Sequence, residues 1–295
     1  MRSLVAALVT VVLWASAFVG IRAAGEDLSP GALALGRLLV GSAALGAIVL
    51  IRREPLPSRR DLPGIVFCGV LWFGIYNVVL NEAEQRVDAG TASMLVNVGP
   101  ILIALLAGVL LHEGFPRSLM AGILVAFAGA AVIGVATSER GVAASWGAAL
   151  CVVAAFAYAG GVVAQKPLLS RASALQVTWL ACTVGALTCL PFATSLVREV
   201  DDAPASAIGW MVYLGVVPTA IAFMTWAYAL ARTTAGRMGS TTYLVPPIAI
   251  LMGWAILGET PPGLAYLGGA LCLAGVAITT RGRPPQEGRP VVASR

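Results

Sequence analysis

The chain has 295 residues, of which 59% are hydrophobic and only 11% charged. A soluble domain carries about a quarter charged residues, so this composition excludes a water-covered globule. The formal charge of +5 belongs to short loops and to topology, and no nucleic-acid partner is expected.

Ten apolar segments follow one another, each long enough to cross a bilayer as a helix: 4–22, 31–51, 62–81, 89–111, 118–136, 145–165, 175–197, 207–230, 236–257 and 262–280. The first could be read as a signal peptide, with Arg2, an apolar core and Ala15, Ser16 and Ala17 as a cleavage-like site. Trp14 and Phe18 crowd that site, and the segment has a counterpart at 145–165, so it is expected to stay as a helix. Loops are short and marked by Pro, Gly or charge, as in Asp27, Leu28, Ser29, Pro30 and in Asp201, Asp202, Ala203, Pro204. The polar, Pro-rich segment 281–295 reads as a disordered tail. Eighteen of the nineteen basic residues are Arg, which together with abundant Ala and Gly fits a GC-rich bacterial genome. Five cysteines lie inside apolar runs without a C-x-x-C pair, so neither a disulfide frame nor a metal site is expected.

The segment 89–133 occurs twice. Shifted by 146 positions it falls without a gap on 235–279, with roughly eleven of about 45 positions identical, Pro100 on Pro246 and Glu113 on Glu259 among them. The same shift brings Gly69 and Val70 onto Gly215 and Val216, and a shift of 144 brings Trp14 onto Tyr158. The expected fold is therefore an all-α polytopic membrane protein with ten transmembrane helices in two five-helix repeats, 1–137 and 138–280. Five spans per repeat is an odd number, so the two repeats are inverted, and a substrate site is expected near the midplane between them. Threaded with both termini inside, the chain places fourteen basic residues on the cytoplasmic side and four outside, with Arg37 within a span. Basic residues resist translocation, so the N- and C-termini are assigned to the cytoplasm of a bacterial cell membrane.

The duplicated five-span unit, the opening Trp14, Ala15, Ser16, Ala17 and Phe18, Arg37 in the second span, and the paired Pro100…Glu113 and Pro246…Glu259 segments carry a resemblance. The chain resembles the EamA-like branch of the drug/metabolite transporter superfamily over essentially its whole length. That resemblance implies ten helices in two inverted halves around a central cavity, lined mainly by the first, third, fourth, sixth, eighth and ninth helices. It further implies transport, generally export, of amino acids and other small metabolites. Efflux of drugs or toxic compounds coupled to protons is the alternative within the superfamily.

Candidate lining residues follow from helical spacing. Ser93, Asn97 and Pro100 share a face of the fourth span, and the matching face of the ninth carries Gly239, Tyr243 and Pro246. Each proline removes a backbone donor, which is tolerated at membrane depth where backbone lines water or substrate, or serves a packing kink. Trp72, Tyr76 and Asn77 on the third span, Thr219 and Trp226 on the eighth, and Trp14, Phe18 and Tyr158 on the first and sixth complete the substrate-binding set. Aromatic faces with sparse amides and hydroxyls suit an amphipathic organic substrate. Trp210, Tyr213 and Tyr266 near span ends read as interfacial anchors.

Arg37 is open between snorkelling or pairing with Glu26 or Asp27 and binding a carboxylate. Glu113 and Glu259 are expected at the N-terminus of the next helix, favoured by its dipole, with proton coupling as the alternative, and His112 beside Glu113 reads as structural. Gly122, Ala126 and Ala130 form a small-residue stripe suited to close helix approach within the fold or in a homodimer. A lone histidine and scattered cysteines supply no nucleophile–base pair, so no enzyme, metal or cofactor is expected; the partners are a small-molecule substrate and the lipid bilayer.

Overall fold

The computed structural model describes residues 2–86, 95–137, 146–257 and 263–281, all as helices and their connections. Ser93, Ala89, Gly90, Glu259, Pro262 and the tail beyond residue 281 lie outside the described residues. Two long helices, α1 (Arg2–Ala24) and α2 (Pro30–Arg52), open the chain. The third apolar segment is α3 (Leu62–Cys68), a π-helical stretch (Gly69–Ile75) and α4 (Tyr76–Glu84) in continuous succession. Then come α5 (Gly99–Leu110), α6 (Arg117–Thr137) and α7 (Trp146–Leu168), and after them α8 (Ala174–Thr188) and α9 (Ala193–Asp202). The eighth segment is α10 (Ala205–Leu214), a second π stretch (Gly215–Ile221) and α11 (Ala222–Leu230). Last are α12 (Ala235–Thr241), a 3₁₀ turn (Thr242–Leu244), α13 (Val245–Leu257) and α14 (Gly263–Arg281).

The protein is an all-α polytopic bundle. Among the described residues, five continuous helical segments are long and apolar enough to cross a membrane, and six if the bent α8–α9 pair is one span. Where they are described, the helices lie along the apolar segments of the sequence, with corrections in the fourth and the seventh; in the fourth, a turn at Asn97 and Val98 precedes α5. The segment 175–197 is broken: the axis turns by 52° between α8 and Leu190–Asp202. Pro191, which has no N–H, sits in the 3₁₀ turn at the bend. No residue of α9 is buried.

The two π stretches stand 146 residues apart, like the sequence repeat. In each, the leading glycine is pressed against a neighbour's backbone. A Cβ on Gly69 would lie 2.7 Å from the carbonyl of Ala181 in α8, and one on Gly215 would lie 2.7 Å from that of Arg37 in α2. Only a residue without Cβ permits either approach. The contacts between halves come in such exchanged pairs. α1 packs on α10 and α11 as α7 packs on α3 and α4, and α1 meets α13 as α7 meets α5. The N-caps repeat the pattern: Ser29 of α2 donates its amide to Glu199 at 2.7 Å, while the Ser173 hydroxyl before α8 donates to Glu54.

The small-residue stripe is used within one chain. Gly122, Ala126 and Ala130 face α14, where Gly275, Cys272 and Gly268 oppose them. With the stripe covered internally, it gives no reason for a homodimer. Glu113 does sit at a helix N-terminus, but not that of the following α6. Its carboxylate accepts from the amides of Ala235 at 2.7 Å and Gly236 at 3.1 Å, at the start of α12 in the other half. A carboxylate there satisfies two orphan donors and meets the positive end of the helix. His112 beside it has positive φ, 54°, and turns the chain out of α5. All five cysteines are free thiols and buried.

Candidate functional site

A cavity opens where α1, α2, the third and eighth segments, α5, α7 and the start of α13 converge. The empty space between its walls, open solvent at the mouth included, is about 760 Å³. Its wall is aromatic. Trp14, Phe18, Trp72, Tyr76, Tyr158 and Phe223 line it, and all of these rings but Phe18 interlock: Trp72 meets Phe223 at 4.8 Å and Tyr158 at 5.4 Å between centroids, and Tyr76 meets Tyr158 at 5.9 Å. The Trp14 indole donates to the Pro218 carbonyl at 3.2 Å, which fixes the ring at the wall.

Polar groups are few. Asn77 is buried and donates its amide to the carbonyl of Phe73 at 2.8 Å and, at 3.4 Å, to that of Trp72. Two carbonyl acceptors fix which end is the NH₂, and the remaining Oδ1 belongs to a cavity-lining side chain. Asn97 and Thr242 add an amide and a hydroxyl, the latter donating to Gly239 at 2.7 Å. Pro100 is the second residue of α5 and Pro246 the second of α13. Both start a helix rather than kink one. The residues four earlier, Val96 and Thr242, lose a helical donor to these prolines, and both line the cavity.

Arg37 carries the one formal charge among the described lining residues. It is only 5% exposed, so it does not snorkel, and among the described residues it forms no ion pair with Glu26, Asp27 or any other acid. Instead Nε and Nη2 both donate to the Thr219 hydroxyl oxygen, at 3.2 and 3.1 Å. Thr219 is locked from behind. Pro218 lacks the N–H that the Leu214 carbonyl would accept in an α-helix, and the Thr219 hydroxyl donates to that carbonyl at 2.8 Å. Its proton is thereby committed, and its oxygen faces Arg37 as an acceptor.

Of the residues expected from spacing, Trp14, Phe18, Trp72, Tyr76, Asn77, Asn97, Pro100 and Tyr158 meet at the cavity. Thr219 stands behind Arg37, and Trp226 is fully buried behind Trp14, 4.9 Å between ring centroids. Tyr243 is not brought there: it is fully buried against Ile123, Ala126 and Cys272 of the α6–α14 seam. The 3₁₀ turn Thr242–Leu244 winds with 3.0 residues per turn and shifts the helical stripe, so Thr242 and Val245 face the cavity instead of Tyr243 and Pro246. Ser93 lies outside the described residues. Spacing missed Ala17, Ile21, Leu80 and Val96, apolar residues without a chemical signal of their own.

The model of the EamA-like transporter family matches the chain twice, over residues 1–135 and 145–281. The chain belongs to the EamA-like transporter family. Among its relatives, the "Probable terminal-alkyne amino-acid exporter" of Streptantibioticus cattleyicolor is 42% identical over 94% of this chain and 92% of its own. The "Uncharacterized transporter YdfC" of Bacillus subtilis is 33% identical over 90% of this chain and 87% of its own. A solved crystal structure of 21% identity superposes with a TM-score of 0.75, covering 94% of this chain and 96% of its own, and shares the fold. An EamA-like transporter moves a small solute across a lipid bilayer and makes or breaks no bond, so this multi-pass membrane protein is a transporter and not an enzyme.

Proposed function

We propose that this EamA-like transporter exports an amino acid or related amphipathic metabolite through the central cavity. The observation that carries the reading is the lining itself: six aromatic rings, sparse amides and a hydroxyl, and Arg37 as its formal charge. Such a wall accepts an apolar side chain while the polar groups take charged ends. The relative of Streptantibioticus cattleyicolor, named for amino-acid export, supports the same class. Ten transmembrane helices in two inverted repeats, 1–137 and 138–280, frame the cavity, supported by the double family match and by the exchanged contacts between halves. The distribution of basic residues supports N- and C-termini in the cytoplasm of a bacterial cell membrane. Proton-coupled drug efflux is the weaker reading. No acidic side chain lines the cavity among the described residues, and Arg37 repels a lipophilic cation. Glu82 pairs with Arg86 instead, at the exposed end of α4. Glu84 closes α4 with one carboxylate oxygen buried and lines no part of the cavity.

Purified protein in liposomes tests both. Preloaded L-propargylglycine, L-leucine or L-phenylalanine should exchange for the labelled amino acid outside, saturably, at equal pH on both sides. Exchange should continue in Glu82→Gln and Glu84→Gln variants. Transport of tetraphenylphosphonium driven by a pH gradient, with no amino-acid exchange, would reverse the assignment.

A further inference from the structure

We infer that Arg37 is the carboxylate anchor of the cavity and that Thr219 is its positioning residue, so the substrate class is a small amphipathic carboxylate. The inference rests on the transport reading above and deepens it. A guanidinium buried to 5% exposure within a membrane bundle is costly unless an anion or strong acceptors meet it. Here its protein partner is one neutral hydroxyl, used by Nε and Nη2 together. No ion pair neutralises it among the described residues. Its remaining N–H groups find no protein acceptor there either, and the residue lines the cavity. Glu84 acts on Arg37 only through its field, without an ion pair.

Geometry narrows the ligand. A planar fork suits a carboxylate, which can take two parallel N–H bonds, better than a halide or a neutral amide. Thr219, with its proton committed to Leu214, holds the guanidinium by its inner edge and leaves the outer edge to the ligand. The aromatic wall then covers the apolar remainder of the molecule. Arg37 has no counterpart in the other half, where the 144-residue shift lands on Ala181. Among the described residues the cavity is thus charged on one side only, and a carboxylate enters in one orientation.

Matched acids and amides test this in the full-length protein in detergent, with the probes phenylacetate and phenylacetamide, and hexanoate and hexanamide. Binding is read by tryptophan fluorescence, since Trp14 and Trp72 line the cavity. The acids should bind about tenfold or more tighter than the amides. Arg37→Gln should bring that ratio near one by weakening the acids, and Arg37→Lys should keep part of it. Thr219→Val should weaken the acids about threefold or more with the amides unchanged, and Thr219→Ser should restore them. Equal binding of acid and amide by the unmodified protein overturns the proposal, as does an Arg37→Gln variant that keeps the preference. If Arg37→Gln does not fold, the unmodified ratio and the Thr219 pair decide. Acid preference without any amino-acid exchange in liposomes leaves the anchor standing and removes the amino-acid reading. Tighter binding of tetraphenylphosphonium than of phenylacetate removes both.

Discussion

Replacing Gly275 by Ala tests how closely α6 and α14 are locked. A Cβ at that position would lie 2.4 Å from the Ala126 nitrogen, 2.6 Å from its Cβ and 2.6 Å from the Gly122 carbonyl oxygen. Ordinary contact begins near 3.4 Å, and two of these three atoms are backbone, so the helices must part by about 1 Å (3.4 minus 2.4). A gap of that size forfeits roughly a quarter to a half of each atom pair's attraction. Ile123, Ala126, Ala130 and Ile133 pack with Cys272 along the seam. On the order of thirty pairs at about 0.15 kcal/mol each then lose roughly 1–2 kcal/mol, in line with the cost of about 1–3 kcal/mol for overpacked cores. Lipid offers no hydrophobic penalty against separation, so this packing term stands almost alone. The purified variant should melt several degrees below the parent in detergent. Gly122→Ala should cost a similar amount, its Cβ meeting the Gly275 carbonyl at 2.6 Å. The double variant should fall short of the sum by about 1 kcal/mol, because the second methyl enters a gap already opened. Gly209→Ala in α10 has nothing within 4 Å and should stabilise by about 0.5–1 kcal/mol. A Gly275→Ala variant as stable as the parent, or a fully additive double variant, refutes the reasoning.

Glu113→Gln should lower stability by about 1–2 kcal/mol, since one amide oxygen replaces a carboxylate bridging two helix N-terminal amides; an unchanged melting curve would remove the bridge between halves. With the native cysteines replaced by Ala, a cysteine at Ser58 should be protected from an impermeant thiol reagent in intact cells and one at Ser206 should react. The opposite pattern would exchange the two sides of the membrane.

Helix positions were legible because apolar runs and short polar loops are strong signals. The cavity face was partly so. Trp72, Tyr76 and Asn77 reach the cavity even though Trp72 stands in the π stretch Gly69–Ile75, where the helical period widens. Tyr243 was misplaced because a single 3₁₀ turn changes the period ahead of Pro246, and propensities do not reveal such a turn. The break at Cys189 was hidden in an apolar run, although Pro191 marks it. Arg37 was visible as an intramembrane cation, but its role was not. Choosing between snorkelling and a cavity needs the direction of the side chain, and the lock through Pro218, Leu214 and Thr219 forms across two spans. Glu113 shows the same limit, since its carboxylate reaches a helix some 120 residues away, Ala235 being 122 positions on.

The paired π stretches also follow the sequence repeat. A π turn holds an extra residue compared with an α turn, so each stretch widens its helix without breaking it. Gly69–Ile75 and Gly215–Ile221 have the same length and begin with the same glycine, 146 residues apart. The widened turn, and the glycine that seats it against a neighbouring helix, thus belong to the sequence pattern that recurs at a shift of 146 residues, not to either stretch alone.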